Sequence, residues 1–339
     1  MVEEKIMKMT NPSRRICRFK WFRQILSVFA WLLVVLAPLS SSAFDIRIGT
    51  GETGSFSHFT GRTICRIINK QVKDLQCTVV PSASQVYKLT NLQGGSLDMS
   101  LVDSRMLYDA VANKGNFEFF DISYDNLRGM ITLYDIPVSI VVRRNVGVTS
   151  MDDLVGKRIN AGAPRSPQHF VVDTIMGIKG WKKEEFSLME ELPTSLSQDT
   201  MAFCHGSIQV MLHIGVHPDP ALQQLFKRCQ AHLVNLGPAD IDPLLDSHPA
   251  FIRTEIPADT YPSFPERVTT FGTTMKLVTS DSLGEETVYN ILDALYRGRK
   301  YLKRAHPTLG VLTESGSEKS DADIKLHPGA VKFFTEKLL

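Results

Sequence analysis

Gly49-x-Gly51-x-x-Gly54 stands between a strand-like stretch, "DIRIGTG", and a helical one, "FSHFTGRTICRIINK". A glycine turn that follows a strand and opens a helix points backbone N–H groups at one spot, and the helix dipole there favours negative charge. The spelling is that of a dinucleotide-binding turn. That use also needs an acidic residue at the end of the second strand to hold a ribose. The second strand ends Val80-Pro81-Ser82, and Asp74 precedes it, at the wrong end. The same turn serves the negative group of a small acid equally well, and that is the use expected here. A second opening of this kind, "AGAPRSPQHF", sets Gly162 and Pro164 before a helix start crowded with Arg165, Ser166, Gln168 and His169. Arg165 is able to form a two-pronged pair with a carboxylate. Two anion-favouring helix starts suit a small acid clamped between them.

Other chemistry finds less support. His213-x-x-x-His217 has the spacing of two zinc ligands on a helix, but "IQVMLHIG" is strand-like, so the rings are not expected on one face. No metal is expected, and His213, at a strand end, is a candidate for lining a cleft. No G-x-S-x-G nucleophile turn is present, and Cys204-His205, neighbours in sequence, do not by themselves place a nucleophile against a base. Asp98 and Asp103 flank one strand and are weak evidence for acid–base work. No catalytic residue and no cofactor are expected.

The elements that position these residues alternate. "DIRIGTG", "CTVVPSA" and "LDMSLVD" are strand-like, and helical segments separate them, the last, "SRMLYDAVANKG", ended by Gly115. That order predicts a parallel sheet covered by helices. After "NLRGMITLYD" a strong strand is expected over residues 138–143. Then Ser150 caps a short helix, "KRINAG" is a strand, and a helix, "IQVMLHIG", a helix from Asp219 to Cys229 and "HLVNLG" continue the pattern. A proline-dense stretch, residues 240–266, leads into the strand "VTTFGTTMKLVTS" and one long amphipathic helix, "EETVYNILDALYRGRKYLKRAH". Two α/β units, each with its own strand–glycine-turn–helix opening, imply two lobes.

The N-terminus carries a basic region, an apolar run of 13 residues from Ile25 to Ala37, and a small-residue end at Ser41-Ser42-Ala43. That is the pattern of a secretory signal peptide, and the run is short of the roughly 20 residues a membrane-spanning helix needs. Residues 1–43 hold seven Lys/Arg and two Asp/Glu, so their removal turns a formal charge of +2 into −3. No basic stripe then remains, which argues against nucleic acid. An exported chain meets an oxidising compartment, so Cys65, Cys77, Cys204 and Cys229 either pair, in one of three connectivities, or stay as buried thiols.

Five stretches, in order, resemble one family. "GTGETGSFSHFTG", "LVDSRMLYDAV", "TSMDDLVGKRINAGAPRS", "IPADTYPSFPERVTTFG" and "IKLHPGAVKFFTEKL" are similar to the recurring motifs of the TAXI-type solute-binding proteins of TRAP transporters, and they span residues 46–338. The resemblance implies an α/β, two-lobed periplasmic-binding-protein type II fold with a hinge and an interlobe ligand cleft. The implied division is lobe I over residues 44–137, lobe II over 138–270, and a return to lobe I over 271–339. It implies a periplasmic protein, a monomer, that captures a small organic anion (a dicarboxylate, 2-oxoacid or acidic amino acid) and delivers it to the membrane subunits of a TRAP transporter. Carried onto this chain, the ligand contacts are Thr53, Gly54, Ser55, Phe56, Ser57, Ser82, Ser84 and Asp103 from lobe I, with Pro164, Arg165, Ser166 and Gln168 from lobe II. The family's Gly-x-Tyr-Tyr is here Ser55-Phe56-Ser57-His58, and Asp103 stands where Gln is usual, so an anion with a neutral or amine-bearing end is as good a fit as a dicarboxylate. A bridge between lobes would resist hinge motion, so Cys65–Cys77 and Cys204–Cys229 are the expected pairs. A ligand sensor for a membrane receptor and an exported enzyme on the same fold are the alternative functions.

Overall fold

Three strand–helix steps open the chain. β1 (Phe44–Thr50), β2 (Leu75–Pro81) and β3 (Met99–Asp103) alternate with α1 (Phe56–Gln71), α2 (Gln85–Gln93) and α3 (Ser104–Val111). β1 lies between β2 and β3, parallel to both. Each helix starts on a side-chain cap, Ser55, Ser84 and Asp103 in turn, whose oxygen accepts a first-turn N–H. The computed structural model describes residues 44–192, 196–313 and 324–337. The expected signal peptide, residues 1–43, lies outside them.

β4 (Leu127–Arg143) is one strand of 17 residues, longer than the six expected. Pro137 lacks an N–H and suggests a break, yet the strand runs through it because its partner changes there. The remaining strands are β5 (Arg158–Asn160), β6 (Leu188–Glu190), β7 (Val210–Ile214), β8 (Ala231–Leu233), β9 (Ile252–Ile256) and β10 (Val268–Ser280). Up to Pro137, β4 pairs antiparallel with β10; from Val138 onward it pairs antiparallel with β7 and β8. The order is β2-β1-β3-β10-β4-β7-β5-β6, with β9 beside β10. The sheet is therefore mixed and not the parallel one expected: β10 and β4 return against their neighbours, whereas β5, β6 and β7 are parallel.

Helices cover both faces. α4 (Pro167–Lys179) and α7 (Pro238–Ser247) pack one side of the β4–β7 half, and α5 (Leu196–His205) and α6 (Pro220–Arg228) pack the other. α1 joins α8 (Glu285–Arg297), α9 (Arg299–Ala305) and α10 (Pro328–Lys337) against the β1–β10 half, opposite α2 and α3. The chain thus forms two lobes, each a sheet between helix layers, joined through β4 and β10. At roughly 1.5–3 kcal/mol for each fully buried aliphatic or aromatic side chain, residues such as Ile48, Ile64, Leu277 and Leu295 hold the core of the first lobe. In the second lobe the strand residues Ile140, Val210 and Leu212 pack on Val171, Ile175 and Ile241.

The proline-dense stretch holds β9 and most of α7: Pro238 occupies the first helical turn, where its missing N–H costs nothing, although Pro243 lies inside the helix. Two further expectations are corrected. The long C-terminal helix is two helices, because the chain breaks at Gly298, whose backbone lies against Ile67. Ser150 does not cap a helix; it donates to Asp153, which also takes the N–H and hydroxyl of Thr149 around a 3-10 turn. Cys65 is bridged to Cys77 and Cys204 to Cys229, with Cα separations of 4.9 Å and 5.1 Å. No helix among the described residues is long and apolar enough to cross a membrane.

Candidate functional site: a cleft at three helix starts

α2, α3 and α4 begin where β2, β3 and β5 end, and ligands in open α/β sheets gather outside such strand ends. Their first residues line one cavity of about 310 Å³: Ser84, Gln85 and Val86 from α2, Asp103, Arg105 and Met106 from α3, and Arg165, Pro167, Phe170 and Val171 from α4. Val138, Ile214, Phe251, Thr273 and Asn116 complete it. A wider cleft of about 570 Å³ adjoins it, sharing Arg105, Asn116, Arg165 and Phe170 and adding Tyr108, His169 and His248.

The turn before α4 is built by its residue types. Gly162 has φ +79°, and a Cβ there would meet Ser166 Oγ at 2.7 Å and Gln168 Cβ at 2.9 Å, so only glycine fits. Ser166 caps α4 by accepting from His169 N–H (3.1 Å), and Pro167 takes the first helical position. Arg165 is held in the left-handed region, φ +68°, uncommon for a residue with a side chain. It is exposed and has no ion pair or hydrogen bond among the described residues.

Charge in the cavity is otherwise engaged. Arg105 pairs with Asp109 at 2.9 Å and lies 4.4 Å over the Phe170 ring centroid. Asp103 accepts Arg105 N–H on Oδ1 (2.9 Å) and Thr273 O–H on Oδ2 (2.6 Å). It has no ion pair among the described residues. Lys88, 1 % exposed, lies behind this wall and donates to Leu101 O at 2.6 Å. Burial pulls its pKa down to about 8, against the opposing pull of the Asp103 charge.

Of the residues expected to bind ligand, Ser84, Asp103 and Arg165 meet in the inner cavity, and Pro164 lines the outer cleft. Ser166 and Gln168 sit in the α4 turn behind them, and Ser82 Oγ accepts from Ser84 N–H. Thr53, Gly54, Ser55, Phe56 and Ser57 are not among the lining residues. That first glycine turn spends its donors on its own side chains: Gly51 N–H goes to Ser57 Oγ (2.8 Å) and His58 N–H to Ser55 Oγ (3.2 Å). Phe56 packs between Tyr134 and His306. His213 is buried on β7, and its successor Ile214 is the one that faces the cavity, since neighbouring strand residues point to opposite sides. Sequence reasoning missed Arg105, Asn116, Phe170, Phe251 and Thr273. Arg105 alone carried a local signal, two residues past a helix-capping Asp.

His213 belongs to a separate buried network. Asp219 N–H donates to Tyr261 Oη (2.8 Å), and the same hydroxyl shares a hydrogen bond with His217 Nδ1 at 2.6 Å. The other ring nitrogen, Nε2, lies 2.9 Å from Ser139 Oγ. Burial, with the neighbouring His213, holds the His217 pKa down at about 3, and burial likewise lowers that of His213. His213 Nε2 has no hydrogen-bond partner among the described residues and stands 3.9 Å from Asp219 Oδ2. No three His, Cys, Asp or Glu among the described residues are grouped to hold a metal.

A family profile described as the NMT1-like family matches residues 48–337. The chain belongs to the NMT1-like family. Among solved structures, a TctC solute binding protein from Polaromonas is 13% identical, with a TM-score of 0.53 over 77% of this chain and 88% of that one. That likeness shows a shared fold, the two-lobed one of periplasmic binding proteins. The periplasmic aliphatic sulphonate binding protein SsuA from Escherichia coli is 12% identical, with a TM-score of 0.47 over 86% of this chain and 78% of that one.

Proposed function

We propose that this member of the NMT1-like family is an extracytoplasmic solute-binding protein that captures a small organic acid between its lobes and hands it to membrane transport subunits. The observation that carries this reading is the convergence of three helix starts and the unpaired Arg165 on one cavity. First-turn N–H groups have no intrahelical acceptor, and the dipole adds positive potential. Arg165 adds a guanidinium able to grip a carboxylate with two parallel bonds. Lobe I is taken as residues 44–137 with 271–339 and lobe II as 138–270, which puts the hinge where β4 changes partners, at Pro137 opposite Gly272. That position supports the division, because two strands crossing at one level bend together. The five motifs similar to TAXI-type proteins favour a TRAP-type system as the membrane partner and the periplasm as the location.

The test is a thermal-shift panel on residues 44–339: dicarboxylates, 2-oxoacids, amino acids, alkanesulfonates, NAD and zinc. A ligand at 100 times its dissociation constant adds about 2.7 kcal/mol, and each kcal/mol moves the midpoint by about 2–4 °C in a chain of this size. A shift with a small acid that disappears in Arg165→Ala is expected. Silence from every acid beside a response to NAD or zinc refutes the proposal.

A further inference from the structure

The inner cavity has a charge pattern that narrows the acid. It is faced by three ionisable groups. Arg105 is neutralised by Asp109 at 2.9 Å. That leaves Arg165, a cation with no partner among the described residues, and Asp103, a carboxylate with no ion pair among them. Lys88 compensates Asp103 only from behind, because its ammonium is buried and committed to Leu101 O. Each Asp103 oxygen accepts one hydrogen bond, from Arg105 N–H and from Thr273 O–H, so each keeps a lone pair for a donor in the cavity. The rest of the wall is uncharged: Val138, Ile214, Val171, Phe251, Phe170 and Met106 are apolar, and Ser84, Gln85, Asn116 and Thr273 are polar.

Resting on the solute-binding reading, we infer that the ligand is a zwitterionic α-amino acid with an apolar side chain, its carboxylate at Arg165 and the helix starts, its ammonium at Asp103. A dicarboxylate or acidic amino acid has a second negative group to place. In this cavity that group finds no second free cation among the described residues: it meets uncharged side chains, where an unpaired charge is costly, or Asp103, where like charges repel. An α-amino acid offers one charge of each sign to the one free group of each sign. Its side chain occupies the apolar wall at roughly 0.8 kcal/mol per buried CH₂.

Titration calorimetry on residues 44–339 with L-leucine, L-phenylalanine, 4-methyl-2-oxopentanoate, L-glutamate and succinate tests this. L-leucine or L-phenylalanine is expected to bind at least tenfold more tightly than the oxoacid, which lacks the ammonium. Asp103→Asn preserves the α3 cap, since Asn caps as well as Asp. It is expected to weaken the amino acid at least tenfold and leave the oxoacid unchanged. Arg165→Ala is expected to abolish binding of both. Tighter binding of glutamate or succinate overturns the inference and leaves the solute-binding reading standing. So does equal affinity of Asp103→Asn for the amino acid. Silence from all five overturns the inference, while the solute-binding reading is decided separately by the wider thermal-shift panel.

Discussion

Tyr261→Phe removes one oxygen and strands two buried groups. The Tyr261 side chain is 1 % exposed, and its hydroxyl takes Asp219 N–H and serves His217 Nδ1. No other hydrogen bond of that hydroxyl is present among the described residues. The variant keeps the ring, and with it the edge-to-face contacts with Phe226 and His217. The loss is therefore polar. Each buried group left without a partner costs about 1–3 kcal/mol. Allowing for the hydroxyl that no longer has to be buried, the net destabilisation is about 2–4 kcal/mol. At about 2–4 °C per kcal/mol, the thermal midpoint falls by roughly 4–16 °C. Differential scanning calorimetry at pH 7.5, with urea unfolding as a second measure, reads the change. A midpoint lowered by less than about 2 °C refutes this network, because it means the hydroxyl was not satisfying both neighbours.

The remaining expectations concern acid and the lobe junction. Burial holds His217 neutral with a pKa of about 3, against about 6.5 in an unfolded chain. The unfolded state therefore binds more protons between those values. The stability from His217 is complete above about pH 6.5 and is lost as pH falls toward 3, by up to about 1.4 kcal/mol per pH unit. Urea unfolding between pH 8 and 4.5 checks this, and His217→Gln should flatten the slope; an unchanged slope in that variant rejects His217 as its source. Gly272→Ala sets a Cβ against Ile136 O and 2.9 Å from Pro137 Cα, all backbone atoms with little room to yield. Overpacking of this kind costs about 1–3 kcal/mol, and a urea midpoint equal to that of the parent would show that β4 and β10 can part there freely.

Sequence alone determined the local grammar of this protein. Alternating apolar and amphipathic runs set the strand–helix order, and β10 occupies the stretch from Val268 to Ser280 that its β-branched and aromatic residues marked. The turn at Gly162 before a helix start was legible too, because a left-handed turn depends on a few neighbouring residues. Tertiary structure alone decided what depends on distant partners. Pro137 ends no strand because β4 exchanges β10 for β7 there, and both partners lie far along the chain. The C-terminal helix breaks at Gly298, where a Cβ would stand 2.9 Å from Ile67 of α1. Both glycine turns cap their helices from within, through Ser55 and Ser166, yet only the second lies at the cavity, with Arg165. Asp103 and Arg165, 62 positions apart, lie on one cavity wall because β4 and β10 carry both lobes. Spacing cannot report such a meeting, since it is fixed by how sheets and helices pack and not by neighbours along the chain.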